Sequence, residues 1–270
     1  MTSTHKSSKE RLIERQNELF HRTKRSLGQN FLVSDGVIDK IIQAVNEENP
    51  IQLLEVGPGL GALTDLLKEK YKEYTLIELD KSLVEYWTHQ QMNVVEGDAL
   101  QIDWEKIKYD VLVSNLPYQI SSSIVIDRSL DHVQCRSMIL MFQKEVAQRI
   151  RALPKTEDYG MLSVIAQEFW TIKTVCDAGP RDFSPAPKVA SRVLKFHKKE
   201  SDIQFKDKYL VFVKNCFKQR RRILKSNLQS SQTEAFLKWV EINKVSDKVR
   251  VEELSPVQIK NLYFYLESEK

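Results

Sequence analysis

The four residues Asn115-Leu116-Pro117-Tyr118 combine side chains that could hold an aromatic amine. They follow a strand-like apolar run at residues 111–114. An amide oxygen can accept hydrogen bonds from N–H groups, a proline fixes the backbone of a turn, and an exposed tyrosine offers a face on which a base can stack. This pattern predicts a binding loop at a strand end, beside whatever second ligand the fold supplies.

Three glycines, Gly57, Gly59 and Gly61, follow an apolar run and indicate a strand-to-helix turn. Glycine has no Cβ, so the backbone can pass close beneath a ligand. The pattern is GxGxG and not the GxGxxG of dinucleotide sites. Glu55 precedes it, and a carboxylate there favours a cationic or hydroxyl-bearing ligand over a pyrophosphate. From the glycines alone, a tight turn without a ligand remains the alternative.

Two acidic residues follow at the ends of the next two predicted strands. Glu78 lies about 20 residues beyond the glycines, the spacing at which a carboxylate reaches ribose hydroxyls. Asp98 ends the third strand, where it could accept a hydrogen bond from the amine of an adenine. Each residue could instead cap a helix, as Asp80 is expected to do, but capping explains the series poorly. Together they predict an adenosine-bearing ligand without pyrophosphate, which we interpret as S-adenosylmethionine.

With a methyl donor at these strand ends, the Asn115 loop becomes the place for a methyl acceptor. The amino group of adenine is a poor nucleophile because its lone pair is delocalised into the ring. The Asn115 side-chain oxygen and the Leu116 carbonyl could accept its N–H protons, Pro117 would aim them, and Tyr118 would stack on the extruded base. Proximity and in-line orientation would complete the catalysis without a metal. A capped turn with an incidental tyrosine is the alternative.

The elements needed to position these residues alternate between strand-like and helical patterns from about residue 51 to 142. This alternation predicts an α/β fold with a mostly parallel sheet. Beyond residue 200 the patterns are those of amphipathic helices. We therefore predict a basic, flexible N-terminal extension at 1–25, an α/β domain at 26–199 and a helical domain at 200–270.

The composition is that of a water-soluble protein, with 41% hydrophobic and 29% charged residues and a net charge of +4. No apolar run is long enough for a membrane helix, and no secretory signal is visible. The three scattered cysteines form no CxxC pair, so no zinc site or disulfide framework is expected. These features favour a cytoplasmic protein without a metal.

Basic residues concentrate at both ends of the chain, which suggests a polyanionic partner. The stretch 205–228 is predicted to be one helix, in which a basic stripe could contact RNA phosphates. A solvated helix face is the alternative reading of this charge. The stripe comprises Lys214, Lys218, Arg221, Arg222 and Lys225.

Read in order, the motifs resemble those of the ribosomal RNA adenine dimethyltransferases of the KsgA type, over about residues 24 to 265. The resemblance implies a Rossmann-like, S-adenosylmethionine-dependent methyltransferase domain followed by a small helical domain. It also implies dimethylation of N6 on two adjacent adenosines near the 3′ end of small-subunit rRNA, in an immature ribosomal particle, by a monomer. The motifs are GQNFL, EVGPGLGALT, IELD, GDAL, NLPYQIS, QKEVAQRI, YGMLSVIAQ, FSPAPKV and FKQRRRILKSNL.

The resemblance adds site residues that the spacing alone did not reveal. It implies that Asn30 and Leu32 contact the cofactor together with Gly57, Gly59, Glu78, Asp98 and Asn115. It also implies that Phe183 faces Tyr118 across the target base, whereas the residue alone suggests a core aromatic. Ala186 and Gln119 depart from the usual motif without touching the proposed chemistry.

Three alternatives stay open from the sequence. An Erm-type enzyme would methylate large-subunit rRNA on the same scaffold, but Leu116 and Leu60 favour the small-subunit class. A DNA adenine methyltransferase would usually carry a separate recognition domain. A non-catalytic assembly or transcription factor could also use this fold, although Glu78, Asp98 and Asn115 are those of an active enzyme.

Overall fold

The computed structural model describes residues 6–19, 29–131 and 135–269. It divides into two compact units, Met1–Ala147 with Ile172–Lys198, and Gln148–Thr171 with Lys199–Lys270. The predicted boundary near residue 200 coincides with one limit of these units. Residues 148–171 cluster with the C-terminal unit, whereas the sequence had placed them in the sheet domain. The basic stretch 21–26, expected to contact RNA, lies outside the described residues.

The first unit is built on a sheet with strand order β4-β3-β2-β5-β6-β9-β7. The first five strands in this order run parallel, and β9 joins β6 in antiparallel register from Ser137↔His197 to Gln143↔Ser191. This confirms the α/β class with a mostly parallel sheet. The strands are β2 (Leu53–Val56), β3 (Tyr74–Glu78), β4 (Asn93–Glu96), β5 (Val111–Asn115), β6 (Ser137–Gln143), β7 (Trp170–Ala178) and β9 (Ser191–Lys198).

Helices follow most of the parallel strands, as the 3.6-residue apolar pattern predicted. The segment after the glycines, predicted as a helix from about Leu60 to Tyr71, contains only one α-helical turn, flanked by turns. The described helices of this part are α1 (Ser8–Glu18), α2 (Asp35–Glu48), α3 (Thr64–Leu67), α4 (Lys81–His89), α5 (Ser121–Leu130) and α6 (Lys144–Arg151).

The central strands are almost entirely buried, because helices on both faces exclude water from a parallel sheet. All four residues of β2 are buried, and Val111, Leu112 and Val113 of β5 are fully inaccessible. Burial of this apolar surface is the main stabilising term of the fold. It holds the carboxyl ends of β2, β3, β4 and β5 at one edge of the sheet, where the predicted site residues stand.

A second, two-stranded sheet links two distant motifs of the first unit. β1 (Phe31–Leu32) pairs antiparallel with β8 (Phe183–Ser184), so that Leu32 lies opposite Phe183. Phe31, Leu32 and Phe183 all belong to the apolar core beneath the glycine turn. The GQNFL and FSPAPKV motifs are therefore neighbours in space.

The predicted flexible extension is wrong for residues 8–18, which form α1. Ser7 caps this helix in a capping box with Glu10. Leu12 is only 4% exposed and packs into the core of the first unit. Arg15 donates to the Leu60 carbonyl and forms an ion pair with Asp65 at 2.9 Å. These contacts hold the helix against the glycine turn.

The second unit is mainly helical, as predicted. Its buried aromatic side chains include Phe169, Tyr209 and Trp239, and Lys260 pairs with the buried Glu168 at 3.0 Å. Among the residues described, no helix combines the length and apolar character that a membrane crossing requires. The helices of this unit are α7 (Met161–Phe169), α8 (Lys206–Cys216), α9 (Thr233–Ile242) and α10 (Pro256–Ser268).

The single helix predicted for residues 205–228 is wrong, because α8 ends at Cys216. The Asn227 side chain donates to the carbonyls of Cys216 and Gln219, at 2.8 Å and 3.2 Å, and so takes the place of the next helical turn. Residues 217–222 form turns, and Leu224–Asn227 is a short 3-10 helix. The basic residues predicted as a helical stripe therefore do not share one helix face.

Candidate cofactor pocket and active site

The glycine turn after β2 has a backbone that residues with side chains rarely adopt. Gly57, Gly59 and Gly61 have φ of 67°, 54° and 83°. A Cβ on Gly59 would lie 3.0 Å from the Phe31 ring, and one on Gly61 would lie 2.7 Å from the Trp87 ring. The turn is therefore shaped by close packing around it, and it forms the floor of a cavity of about 260 Å³.

Glu78, at the end of β3, lines this cavity beside the glycine turn. Its carboxylate accepts backbone N–H bonds from Gly59 at 3.3 Å, Leu79 at 2.8 Å and Asp80 at 2.9 Å. Burial raises the pKa of Glu78, and these N–H donors oppose the rise. The carboxylate is thus held in a fixed orientation, suited to accept hydrogen bonds from a pair of ligand hydroxyls.

Asp98 follows β4 and also lines the cavity. Its Oδ1 accepts the Leu100 N–H at 2.9 Å, and its Oδ2 faces the Gln101 side-chain amide at 3.3 Å. Asp98 therefore both shapes its own turn and offers a carboxylate to the cavity. Asp80 caps α4 through the Ser82 N–H, as predicted.

Asn115 ends β5, the strand next to β2, and lines the same cavity as the glycine turn. Its side-chain nitrogen donates to the Asn30 carbonyl at 3.0 Å. With the nitrogen so used, the side-chain oxygen is the acceptor left for a ligand. This bond joins two predicted site residues that are 85 positions apart in the chain. Leu32 lines the same cavity.

The residues after Asn115 also line the cavity. Leu116 is 2% exposed, so its side chain anchors the loop. The Tyr118 hydroxyl shares a hydrogen bond of 2.8 Å with Ser191 Oγ on β9. Partial burial raises the pKa of Tyr118. The Tyr118 hydroxyl is therefore uncharged, and its hydrogen bond to Ser191 fixes the position of the ring.

Phe183 does not line this cavity. It is 4% exposed and packs in the apolar core with Phe31 and Leu32. Phe183 thus packs as a core aromatic in this structure, and its implied stacking on a base opposite Tyr118 stays a prediction. The site residues that the structure brings together are Asn30, Leu32, Gly57, Gly59, Glu78, Asp98, Asn115, Leu116, Pro117 and Tyr118.

Sequence reasoning missed the contribution of α1 to this cavity. Ser8, Arg11 and Leu12 line it, although the family resemblance begins only near residue 24. The capping-box spacing of Ser7 and Glu10 was the one available signal of a helix here. No cluster of three or more His, Cys, Asp or Glu side chains within residues 6–19, 29–131 and 135–269 could hold a metal ion.

Glu55 lies beneath the glycine turn and is 2% exposed. It accepts hydrogen bonds from the hydroxyls of Thr64, at 2.7 Å, and of Tyr74. Burial raises the pKa of Glu55 to about 7, and these two hydroxyls only partly oppose the rise. Near neutral pH, the Glu55 carboxyl is therefore partly protonated, within a buried hydrogen-bond network with these two hydroxyls.

The unfolding free energy of the wild-type protein should fall as pH rises, because Glu55 loses its proton. We expect Glu55→Gln, which has no proton to lose, to remove this pH dependence. Because the folded pKa exceeds the unfolded value of 4.5, the folded protein holds the extra proton between pH 4.5 and 7. In wild type this group's contribution is full below pH 4.5 and falls by about 3 kcal/mol as pH rises through 7. Urea unfolding of both proteins across this range measures the difference. A difference that does not change with pH would show that Glu55 is ionised in the fold.

A cluster of arginines forms an open basic surface in the second unit. Arg220 is tied down, because it pairs with Glu252 at 2.5 Å and donates to the carbonyls of Thr156 and Glu157. Arg221 and Arg222 are exposed beside it, and Arg250 lines the same depression. Of the other predicted RNA contacts, Lys214 and Lys218 are exposed and Lys225 is half-buried.

The chain is similar to proteins of known class over nearly its whole length. It matches the model of the family described as ribosomal RNA adenine dimethylase over residues 20–268. It is 52% identical over 265 residues to the ribosomal RNA small subunit methyltransferase A of Bdellovibrio bacteriovorus. The aligned region covers 95% of this chain and 97% of that protein.

Two solved structures share this architecture. A dimethyladenosine transferase from Plasmodium falciparum superposes with a TM-score of 0.73 and 25% identity, covering 88% of this chain and 98% of that chain. The 23S rRNA methyltransferase ErmE gives a TM-score of 0.64 and 25% identity, covering 88% of this chain and 100% of that chain. The likeness therefore extends through both units.

Proposed function

The chain belongs to the ribosomal RNA adenine dimethylase family, and we propose that its cavity holds S-adenosylmethionine for dimethylation of N6 on two adjacent adenosines near the 3′ end of small-subunit rRNA. The enzyme is an rRNA adenine dimethyltransferase with a Rossmann-like fold. One observation supports the proposal most strongly. The glycine turn, Glu78, Asp98 and Asn115 come from four strand ends and line one cavity.

The residues of the cavity fit this cofactor. Glu78, oriented by three backbone N–H groups, would accept hydrogen bonds from the two ribose hydroxyls. Asp98 would accept from the adenine amine, and the glycine turn, which lines the same cavity, would lie beneath the ligand. Asn30 and Leu32 close the pocket from β1 and the segment before it. When bound, the cofactor supplies a methyl group on a sulfonium, with S-adenosylhomocysteine as the product and no metal taking part.

The Asn115 loop prepares the acceptor. The Asn115 Oδ1 and the Leu116 carbonyl accept the N–H protons of the adenine amine, which localises the nitrogen lone pair toward the methyl group. Pro117 keeps the two acceptors at a fixed spacing, and Tyr118, held by Ser191, stacks on the extruded base. The proton leaves the nitrogen readily after alkylation, so no strong base is required.

The substrate class follows from the relatives and not from the pocket. The 52% identity to a small-subunit methyltransferase supports small-subunit rRNA over the large-subunit rRNA of the 25% identical ErmE. We place the reaction on an immature ribosomal particle in the cytoplasm, carried out by a monomer. A role in assembly is compatible with this catalysis.

A methylation assay with three substrates tests the proposed function. Naked small-subunit rRNA, immature small subunits and large-subunit rRNA are each incubated with the enzyme and labelled cofactor, and the product nucleosides are analysed. We expect N6-dimethyladenosine from the small-subunit substrates. Product from large-subunit rRNA instead would make this an Erm-type enzyme, and absence of product with bound cofactor would favour a non-catalytic role.

We propose that exposed and half-buried basic residues of the second unit bind rRNA phosphates. They comprise Lys214, Lys218, Arg221, Arg222 and Lys225, with Arg250 beside the arginines. Phosphate contacts from side chains on turns and helices need no common helix face. We therefore keep the RNA-contacting role that was proposed from the sequence, although these residues do not lie on one helix face.

Arg221→Ala with Arg222→Ala should weaken rRNA binding about tenfold or more and reduce its salt dependence. Binding of S-adenosylmethionine and the unfolding free energy should be unchanged, because both side chains are exposed. Arg220→Ala is the matched control within the same run. It breaks the pair with Glu252, so it should lower the melting temperature instead. Equal loss of stability in both variants would mean that the exposed arginines are structural.

A further inference from the structure

We propose that Arg11, on α1, binds the carboxylate of the methionine part of S-adenosylmethionine. This inference rests on the proposed function, because it concerns the same cavity. It adds a cofactor contact from a helix that precedes the segment matched by the family model, which begins at residue 20.

The charges around the cavity call for such a contact. Four carboxyl-bearing side chains line it, namely Glu55, Asp65, Glu78 and Asp98. Arg11 is the one basic side chain among the described residues that line it. The cofactor carries a sulfonium, an ammonium and a carboxylate. Beside this acidic lining, the carboxylate would be repelled without a cationic partner.

Arg11 is held at the wall of the cavity with donors to spare. Its Nη1 donates to the Lys6 carbonyl at 2.9 Å, and its Nη2 to Ser8 Oγ at 2.7 Å. A guanidinium has five N–H donors in a planar fork that suits a carboxylate. These two bonds orient the group and leave further N–H donors for the ligand.

The helix that carries Arg11 is fixed at both ends. The Ser8 N–H donates to Asp35 Oδ1 at 2.9 Å at the start of α2. Arg15 binds the Leu60 carbonyl and Asp65 at the end of the glycine turn. Between them, Leu12 is buried in the core. Arg11 therefore faces the cavity from a helix whose position is set by independent contacts.

The proposed contacts to the adenosine part would leave the carboxylate on this side of the cavity. With Glu78 holding the ribose and Asp98 the base, the amino-acid part would lie toward the other lining residues, which include the glycine turn and α1. α1 contacts the glycine turn through Arg15 and the start of α2 through Ser8.

Calorimetric titration of the full-length protein with two ligands tests the assignment. S-adenosylmethionine carries the carboxylate, and decarboxylated S-adenosylmethionine lacks only that group. We expect Arg11→Ala to weaken the first about tenfold or more and the second less than twofold. Arg11→Lys keeps the charge and should recover part of the loss. Lys9→Ala, an exposed residue on the same helix, is the matched control and should leave both affinities unchanged.

The outcomes separate this inference from the proposed function. Equal weakening of both ligands by Arg11→Ala would overturn the assignment, because it would show only that α1 had moved. Unchanged binding of S-adenosylmethionine would overturn it as well. Failure of the wild-type protein to bind either ligand would instead refute the proposed function itself.

Discussion

Asn115→Ala should lower kcat for methyl transfer by about 10²–10³-fold, the size of effect expected when one oriented polar contact to a reacting group is removed. The variant loses the oxygen that accepts from the adenine amine, while Leu116 and Tyr118 keep their places. Affinity for S-adenosylmethionine should change by less than about fivefold, because Glu78 and Asp98 supply the charged contacts to the adenosine part. Single-turnover methylation at saturating cofactor and rRNA measures kcat, and calorimetry measures the affinity.

Asn115→Asp is the informative control for this experiment. It keeps an acceptor oxygen but cannot donate to the Asn30 carbonyl, a bond of 3.0 Å in wild type. We expect its kcat to lie between those of wild type and the alanine variant. If the alanine variant retains kcat within about tenfold, Asn115 positions the loop and does not take part in the reaction.

Tyr118→Ala should lower kcat/KM by about 10–100-fold, because stacking of a base on an aromatic ring contributes about 1–3 kcal/mol. Stability should change little, since the ring is only half-buried. Tyr118→Phe keeps the ring and loses only the hydrogen bond to Ser191, so most activity should remain. Steady-state kinetics with small-subunit substrate and thermal melting of each variant make the measurement.

Phe183→Ala gives the contrasting result and tests the sequence-based role of this residue. Phe183 is a core side chain that is only 4% exposed. Its truncation to alanine should therefore lower the unfolding free energy by about 3–5 kcal/mol. Phe183→Leu keeps most of the volume and should retain both stability and activity. If Phe183→Leu instead loses activity as Tyr118→Ala does, with an unchanged melting temperature, then Phe183 stacks on the base after all.

The cavity could be predicted largely from the sequence because its residues stand at the ends of parallel strands. Apolar runs locate those strands, and the geometry of a parallel sheet brings their carboxyl ends together. Gly57, Glu78, Asp98 and Asn115 were found in this way and share one cavity. Asn30 and Leu32 came only from resemblance, since a short loop motif has no periodic signal.

Features that depend on contacts between distant residues were not predictable from local pattern. α1 contains few apolar residues, and Leu60 and Asp65, the partners of Arg15, lie 45 and 50 positions away from it. The end of α8 depends on Asn227, whose side chain caps carbonyls 8 and 11 positions before it. The motif implies that Phe183 binds the base, whereas its residue type suggests a core position. The sequence could not show that Phe183 packs with β1, because its partner Leu32 lies far away in the chain.

The position of β9 has a consequence for synthesis on the ribosome. β9 lies between β6 and β7, although both precede it in the chain. The apolar strand β6 therefore keeps an open hydrogen-bonding edge until residue 198 has left the exit tunnel. Exposed edges of this kind invite pairing with other chains. Nascent chains that stall before this point should need chaperones, whereas those released after it can close the sheet unaided.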